Sequence, residues 1–189
     1  MLTEDFGLRL DGVHEELRDP GRLRFAAVIG LLLDGDPGLD GPALVLIERS
    51  SKLRQHAGQI AFPGGKVEPG DRDLLDTALR EASEEVGLPR EQVRVLGRLS
   101  PVPTPTGYMI VPYVGRVLGD WQPRPASGEV ERILMPSLRT LMDPAIHRLT
   151  GSVEWEGERY DLHQFDIADP PLWGATARMV WDLLERIRA

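Results

Sequence analysis

The chain has 189 residues, 41% hydrophobic and 28% charged, a size and balance that fit one globular domain and exclude a disordered tail or a fibre. The apolar run from Phe25 to Leu33 is less than half the ~20 residues a helix needs to cross a bilayer, and the absence of cysteine excludes disulfides, thiolate zinc sites and thiol nucleophiles. A net charge of −8, from 22 basic and 30 acidic residues, argues against a general nucleic-acid surface.

At the N-terminus, Met1-Leu-Thr-Glu-Asp5 places acids where a secretory signal would carry basic residues, so a cytoplasmic location is the expectation. Leu2, Phe6, Leu10, Val13 and Leu17 recur at spacings of three and four and predict a short amphipathic helix, interrupted by Gly7, Gly12 and Pro20. Phe25 to Leu33 and Ala43 to Ile47 read as two buried strands joined by the turn-rich segment from Asp34 to Pro42. Gln59 to Phe62 is a further short strand before Pro63-Gly64-Gly65. From Arg72 to Val86 the period becomes helical, with Leu75, Ala78, Leu79, Ala82 and Val86 on one side and Gly87 as the stop.

Strands are then predicted at Val93 to Leu99, Tyr108 to Leu118, Val130 to Met135 and Tyr160 to Phe165, with Pro112 marking the second of these as an edge or a bulge. A final helix runs from about Gly174 to Ile187, its apolar stripe formed by Ala177, Val180, Trp181, Leu184 and Ile187. Several strands with separated helices imply an α/β layered domain, and no repeat, low-complexity block or linker divides residues 1–189. Trp173 reads most simply as a packing element, although a tryptophan beside a ligand can stack on adenine.

The chemistry concentrates between Val67 and Glu85, where Glu68, Asp71, Asp73, Asp76, Glu81, Glu84 and Glu85 oppose only Arg72 and Arg80, a local balance of −5. With Glu81 at the origin of a helical wheel, Glu84 falls at about −60° and Glu85 at about +40°, so three carboxylates share one face. Like charges one turn apart repel. A hard divalent cation, Mg²⁺ or Mn²⁺, is the partner such oxygen ligands take. Arg80 can pair with Glu84 or buttress a neighbouring carboxylate, and the Gly64-Gly65 pair lets backbone approach, where a carbonyl could join the ligand set. Upstream, residues 44–66 carry Arg49, Lys52, Arg54 and Lys66 against only Glu48, a balance of +3 suited to phosphate. His56 lies in the same segment and reads as a surface hydrogen-bonder.

Residues 65–88 resemble the Nudix box, G-x5-E-x7-R-E-U-x-E-E-x-G-U, where U is aliphatic. Gly65, Arg80, Glu81, Glu84, Glu85, Gly87 and Leu88 match, and Ala82 takes the small apolar position. Asp71 replaces the first glutamate, and eight residues separate it from Arg80 where the pattern has seven. Residues 45–65 are similar to the signature of the coenzyme A pyrophosphatase branch, L-L-T-x-R-[SA]-x3-R-x3-G-x3-F-P-G-G, through Arg49, Ser50, Arg54, Gly58, Phe62, Pro63, Gly64 and Gly65. Only Val45-Leu46-Ile47 departs from the opening triplet. Weaker resemblance continues through Thr106 to Gly115, Gly128 to Val130 and Leu172 to Arg178.

The resemblance implies an α/β/α sandwich with a central mixed β-sheet and hydrolysis of the diphosphate of coenzyme A or a derivative. The expected products are 3′-phosphoadenosine 5′-phosphate and 4′-phosphopantetheine. It places Mg²⁺ or Mn²⁺ on Gly65, Glu81, Glu84 and Glu85, and substrate phosphate on Arg49, Lys52, Arg54 and Lys66. The proton of the attacking water falls to Glu84, Glu85 or Glu129, with Glu131 a competitor for the last because two residues apart on a strand point the same way. A homodimer is a further implication. The alternatives are a Nudix hydrolase for another nucleoside diphosphate derivative or a nucleoside triphosphate, and a non-catalytic ligand sensor on the same fold.

Overall fold

The computed structural model describes residues 8–13, 17, 20–34, 41–155 and 157–188. Strand β1 (Arg24–Leu33) is the centre of the molecule. Its C-terminal half pairs antiparallel with β2 (Ala43–Arg49), through Leu31↔Val45 and Leu33↔Ala43. Its N-terminal half pairs with β4 (Gly64–Lys66), through Ala27↔Gly65 and Ala26↔Lys66, and β3 (Ile60–Ala61) pairs antiparallel with β2.

Helix α1 (Leu74–Val86) follows. Then come β5 (Val93–Arg98), β6 (Val102–Thr104) and β7 (Tyr108–Val117), of which β7 runs parallel to β1 and carries β5 and β6 antiparallel on its far side. Strand β8 (Val130–Leu134) returns to β2. The chain continues through α2 (Leu138–Met142), the hairpin β9 (His147–Trp155) and β10 (Glu158–Phe165), the short β11 (Leu172–Trp173) and helix α3 (Gly174–Arg188).

Alternation along the strands sorts the core into two layers. Ala27, Ile29, Leu31, Val45 and Ile47 pack with Ala78, Ala82 and Val86 of α1. Val28, Leu32, Leu44, Leu46 and Phe62 pack with Phe165, Leu172, Val180, Leu183 and Leu184 on the α3 side. With both faces covered, β1 and β2 read as continuous apolar runs. The result is the expected α/β/α sandwich on a mixed sheet.

Helix α1 starts two residues later than its periodicity indicates because Asp73 caps it, accepting from the Asp76 N–H at 2.8 Å. It ends at Gly87, whose φ of 67° is the left-handed cap expected there. Pro112 does not mark an edge, since β7 lies between β1 and β5, but the β5–β7 ladder does carry a bulge, between Val95 and Gly97 opposite Gly115 and Val114. The Pro112 carbonyl accepts from the Leu99 N–H at 2.8 Å, so its imide nitrogen faces the junction where β5 gives way to β6 and no ladder bond is required.

The N-terminal helix is not found where the chain is described. Asp11 instead forms an antiparallel bridge with Arg98, while Leu8 and Leu10 pack on the α3-side core and Val13 and Leu17 on the other. Leu2 and Phe6 lie outside the described residues. Strands β4, β6, β9 and β11 and helix α2 have no counterpart in the sequence reading. Strand β9 is exposed along nearly its whole length, so it carries no burial pattern to read.

Asp76, at the start of α1, accepts from the Arg72 N–H at 3.1 Å, from the Arg72 guanidinium at 2.7 Å and from Arg90 at 2.5 Å. These bonds, Arg72 foremost, hold its carboxyl well below the usual carboxylate range. A depressed folded-state pKa contributes stability above the unfolded-state pKa, and that contribution is lost as pH falls through the folded value. Asp76→Asn is therefore expected to lower Tm at pH 7, with the difference from the parent shrinking progressively below about pH 4; a difference that stays constant to pH 2.5 contradicts the assignment.

Candidate active site

Strand β4 and helix α1 approach with almost nothing between them. A Cβ on Gly65 would lie 2.2 Å from Glu81 Oε1, and one on Gly64, at φ +154°, would lie 2.4 Å from the Ala27 carbonyl oxygen. Only bare backbone fits here. The Gly64 N–H donates to Glu85 Oε2 at 3.0 Å. Ile29 N–H donates to the Pro63 carbonyl at 2.9 Å, so strand alternation turns the Gly65 carbonyl toward β1 and leaves the Gly64 carbonyl on the outer edge, beside the carboxylates. The backbone oxygen able to join the acids is thus Gly64's, one residue before the position the box implied.

Two arginines hold the carboxylates. Arg80 grips Asp71 at 2.8 Å through Nε and 3.2 Å through its terminal nitrogen, and reaches Glu81 Oε1 at 3.1 Å, Glu84 Oε2 at 3.2 Å and the Lys66 carbonyl at 3.1 Å. Asp71 also accepts from Thr77 Oγ1 and the Glu68 N–H, both at 2.8 Å. The extra residue of the box is absorbed in the loop ahead of the Asp73 cap, and the shorter Asp71 side chain becomes the anchor of Arg80, its carboxyl held well below the usual range chiefly by that arginine. On the other side Arg49 lies 3.6 Å from Glu85 Oε1 and 3.2 Å from Glu129 Oε2.

Glu85 is the most enclosed of the four glutamates, its side chain 5% exposed against 58% for Glu84. Burial pushes its carboxyl up to about 7, with the Glu81 and Glu129 charges adding to the rise against the Gly64 N–H and Arg49. Burial likewise raises Glu81, and Arg80 opposes it. Two carboxyls raised by burial and by neighbouring acids, Glu81 by Glu84 and Glu68, Glu85 by Glu81 and Glu129, are oxygen donors whose ionised form a divalent cation would stabilise, and a hard cation fits this donor set. Among the described residues no three acidic or histidine side chains already converge as a ligand cage. Arg49 and Arg80 cross-link them instead.

Glu129 and Glu131 part company at a bulge. Arg49 pairs with Val130 but Glu48 with Arg132, which leaves Glu131 outside the ladder. Glu129 therefore meets Arg49, while Glu131 accepts a long 3.4 Å bond from Ser50 Oγ.

Of the expected phosphate binders, the structure brings only Arg49 onto the carboxylates. Lys52 and Arg54 stand on the exposed loop between β2 and β3. Lys66 turns to the opposite face, its Nζ 5.6 Å from the centre of the Tyr108 ring. His56 adopts φ 57° and pairs through Nδ1 with Gln59 Oε1 at 2.8 Å, serving the closure of that loop. Trp173 is 52% exposed and does not pack in the core, whereas its neighbour Leu172 is buried. The sequence reading missed Asp71 as the Arg80 anchor and the Gly64 carbonyl; the Gly-Gly pair was the available signal for the second.

This sandwich, with an arginine-braced row of glutamates laid against a glycine strand, defines a hydrolase of the Nudix class. The chain belongs to the NUDIX domain family, whose pattern it matches over residues 23–152. It is 36% identical over 148 residues to the uncharacterized Nudix hydrolase NudL of Photorhabdus laumondii, covering 78% of each chain. It is 37% identical over 150 residues to the NudL of Yersinia pestis, covering 77% of this chain and 73% of that one. Solved structures with the same fold include a Nudix hydrolase from M. smegmatis, RenU, at TM-score 0.51 and 21% identity over 69% of this chain and 80% of that one. Another is a MutT/nudix family protein from Enterococcus faecalis, at TM-score 0.55 and 19% identity over 91% and 63%. Nudix hydrolases act on small molecules with divalent cations, and this chain is one of them.

Gly65→Ala tests the close approach. The atom it would strike is the free end of the Glu81 side chain, so the fold should tolerate the change while the carboxylate is displaced. Thermal melting is expected to move by no more than a few degrees, and metal-stimulated hydrolysis to fall by about 100-fold; unchanged activity argues against Glu81 as a ligand.

Proposed function

We propose that the protein hydrolyses the diphosphate bond of coenzyme A or a derivative, releasing 3′-phosphoadenosine 5′-phosphate and 4′-phosphopantetheine, within one domain spanning residues 1–189. The observation that carries this reading is Arg49. It is the first arginine of the upstream signature, and it lies against both Glu85 and Glu129, which joins the phosphate-suited segment to the acidic helix. A cytoplasmic enzyme and a homodimer accord with the same resemblance.

In this reading Glu81, Glu85 and the Gly64 carbonyl, with Glu84 at the rim, hold Mg²⁺ or Mn²⁺. Such a cation supplies charge neutralisation at the diphosphate and a more acidic water. Both Glu85 oxygens are already engaged, one by the Gly64 N–H and one by Arg49, so Glu85 holds and orients. The Glu84 and Glu129 carboxylates reach solvent, and either can accept the proton of the attacking water. Arg49, in contact with Glu85 and Glu129, is placed to meet a phosphate oxygen beside them. Arg80 fixes the glutamate row from behind through Asp71.

The test is a product assay over coenzyme A, oxidised coenzyme A, ADP-ribose, NADH, dinucleoside polyphosphates and nucleoside triphosphates with Mg²⁺ or Mn²⁺. Coenzyme A or its disulfide should be the best substrate and give the two stated products; a clear preference for any other member replaces this reading. Glu85→Gln should lose at least about 100-fold in rate while its circular dichroism is unchanged.

A further inference from the structure

The side chains of three residues that share one row of the sheet have no part in the site described so far. Arg24 of β1 is in register with Tyr108 of β7, and Ala26, two residues along β1, is in register with Lys66 of β4. Residues two apart on a strand, and residues directly paired across strands, point to the same face. Arg24, Lys66 and Tyr108 therefore lie on one face, that of Val28 and the α3-side core, while Gly65 with Ala27 belongs to the α1 face. The ring contacts agree. The Arg24 guanidinium lies 4.5 Å, and Lys66 Nζ 5.6 Å, from the Tyr108 ring centre.

The row is fixed by backbone. Arg24 N–H donates to the Gly107 carbonyl at 3.0 Å, and Thr104 Oγ1 both accepts from the Tyr108 N–H at 3.1 Å and donates to the Tyr108 carbonyl at 3.0 Å. Two cations are thus gathered on one ring, and among the described residues neither Arg24 nor Lys66 makes an ion pair. Nor does the Tyr108 hydroxyl have a hydrogen-bond partner there. Like charges held together without a carboxylate are resolved by an anion, and the ring's π surface is already engaged by the cations, which disfavours a stacked base. Among the described residues Lys52 and Arg54 likewise make no ion pair, but no ring contact or side-chain hydrogen bond sets their direction.

We propose that Arg24, Lys66 and Tyr108 form a phosphomonoester subsite that reads the 3′-phosphate of the substrate from the α3 face of the sheet. Resting on the coenzyme A reading, the assignment is spatially simple. Gly65 and Lys66 are consecutive, so a substrate whose diphosphate lies at the α1 edge of β4 has its ribose 3′-phosphate about one sugar ring away, across that edge. The subsite makes the presence of the phosphomonoester a determinant of KM and leaves the chemical step to the opposite face.

The experiment compares coenzyme A with dephospho-coenzyme A as substrates, and adenosine 3′,5′-bisphosphate with AMP as calorimetric ligands. Arg24→Ala should raise KM for coenzyme A about tenfold with kcat unchanged, leave dephospho-coenzyme A within about twofold, and weaken the bisphosphate about tenfold while sparing AMP. Lys66→Met should likewise weaken bisphosphate binding, and Arg24→Lys should restore most of it. Equal losses on both members of each pair, or unaltered bisphosphate affinity in both charge-removing variants, overturn the subsite. Failure of the wild-type protein to cleave coenzyme A overturns the substrate reading instead. The subsite is then judged by binding alone, standing if bisphosphate is preferred to AMP and Arg24→Ala abolishes that preference, and falling otherwise.

Discussion

The contact between the bare backbone of Gly64-Gly65 and the carboxylates of Glu81 and Glu85 is the constraint on which the other features of the site depend. A side chain on either glycine would collide with Glu81 or with β1, so β4 carries none, and the helix can bring its acids against main chain. That closeness also buries the acids. Burial raises Glu85 and Glu81, and a carboxylate row in that condition needs positive charge from somewhere. Arg80 and Arg49 supply it within the protein, and a divalent cation is suited to do so in the working enzyme.

The arginines have different duties because their anchors differ. Arg80 is locked from behind by Asp71, which is itself held by Thr77 and the Glu68 N–H, so its reach to Glu81 and Glu84 is set by the fold. Arg49 ends β2, and among the described residues its guanidinium pairs with two carboxylates of the site, Glu85 and Glu129. The first is a brace for the helix face. The second, on the proposed coenzyme A reading, would belong to the surface a phosphate meets, and that reading would reconcile an acidic protein with a polyanion, since the negative charge is concentrated where cations would gather.

The layers and the helical carboxylate row could be read from the chain. Both strands at the centre of the sheet are apolar on two faces, and α1 announces itself by period, cap and stop. Other features were hidden for identifiable reasons. Strand β9 is solvent-exposed and shows no burial pattern, β4 is three residues with two glycines, and Pro112 looks like an edge marker until β5 and β6 are seen to meet beside it. Glu129 and Glu131 are equivalent on an ideal strand. The bulge opposite Glu48 and Arg49 is what separates them.

The sequence by itself determined the class of chemistry, because three glutamates on one helical face behind a glycine pair follow from residue spacing, and spacing on a helix is geometry. It also determined the uneven charge, acidic through α1 and basic before it. Only the tertiary structure decided which cations face which anions. Arg49 reaches the carboxylates while Lys52 and Arg54 stay on a loop, Gly64 in place of Gly65 turns its carbonyl outward, and Lys66 leaves the acidic face to join Arg24 at Tyr108. Each of these depends on strand register, which pairs residues distant in the chain and sends consecutive side chains to opposite faces.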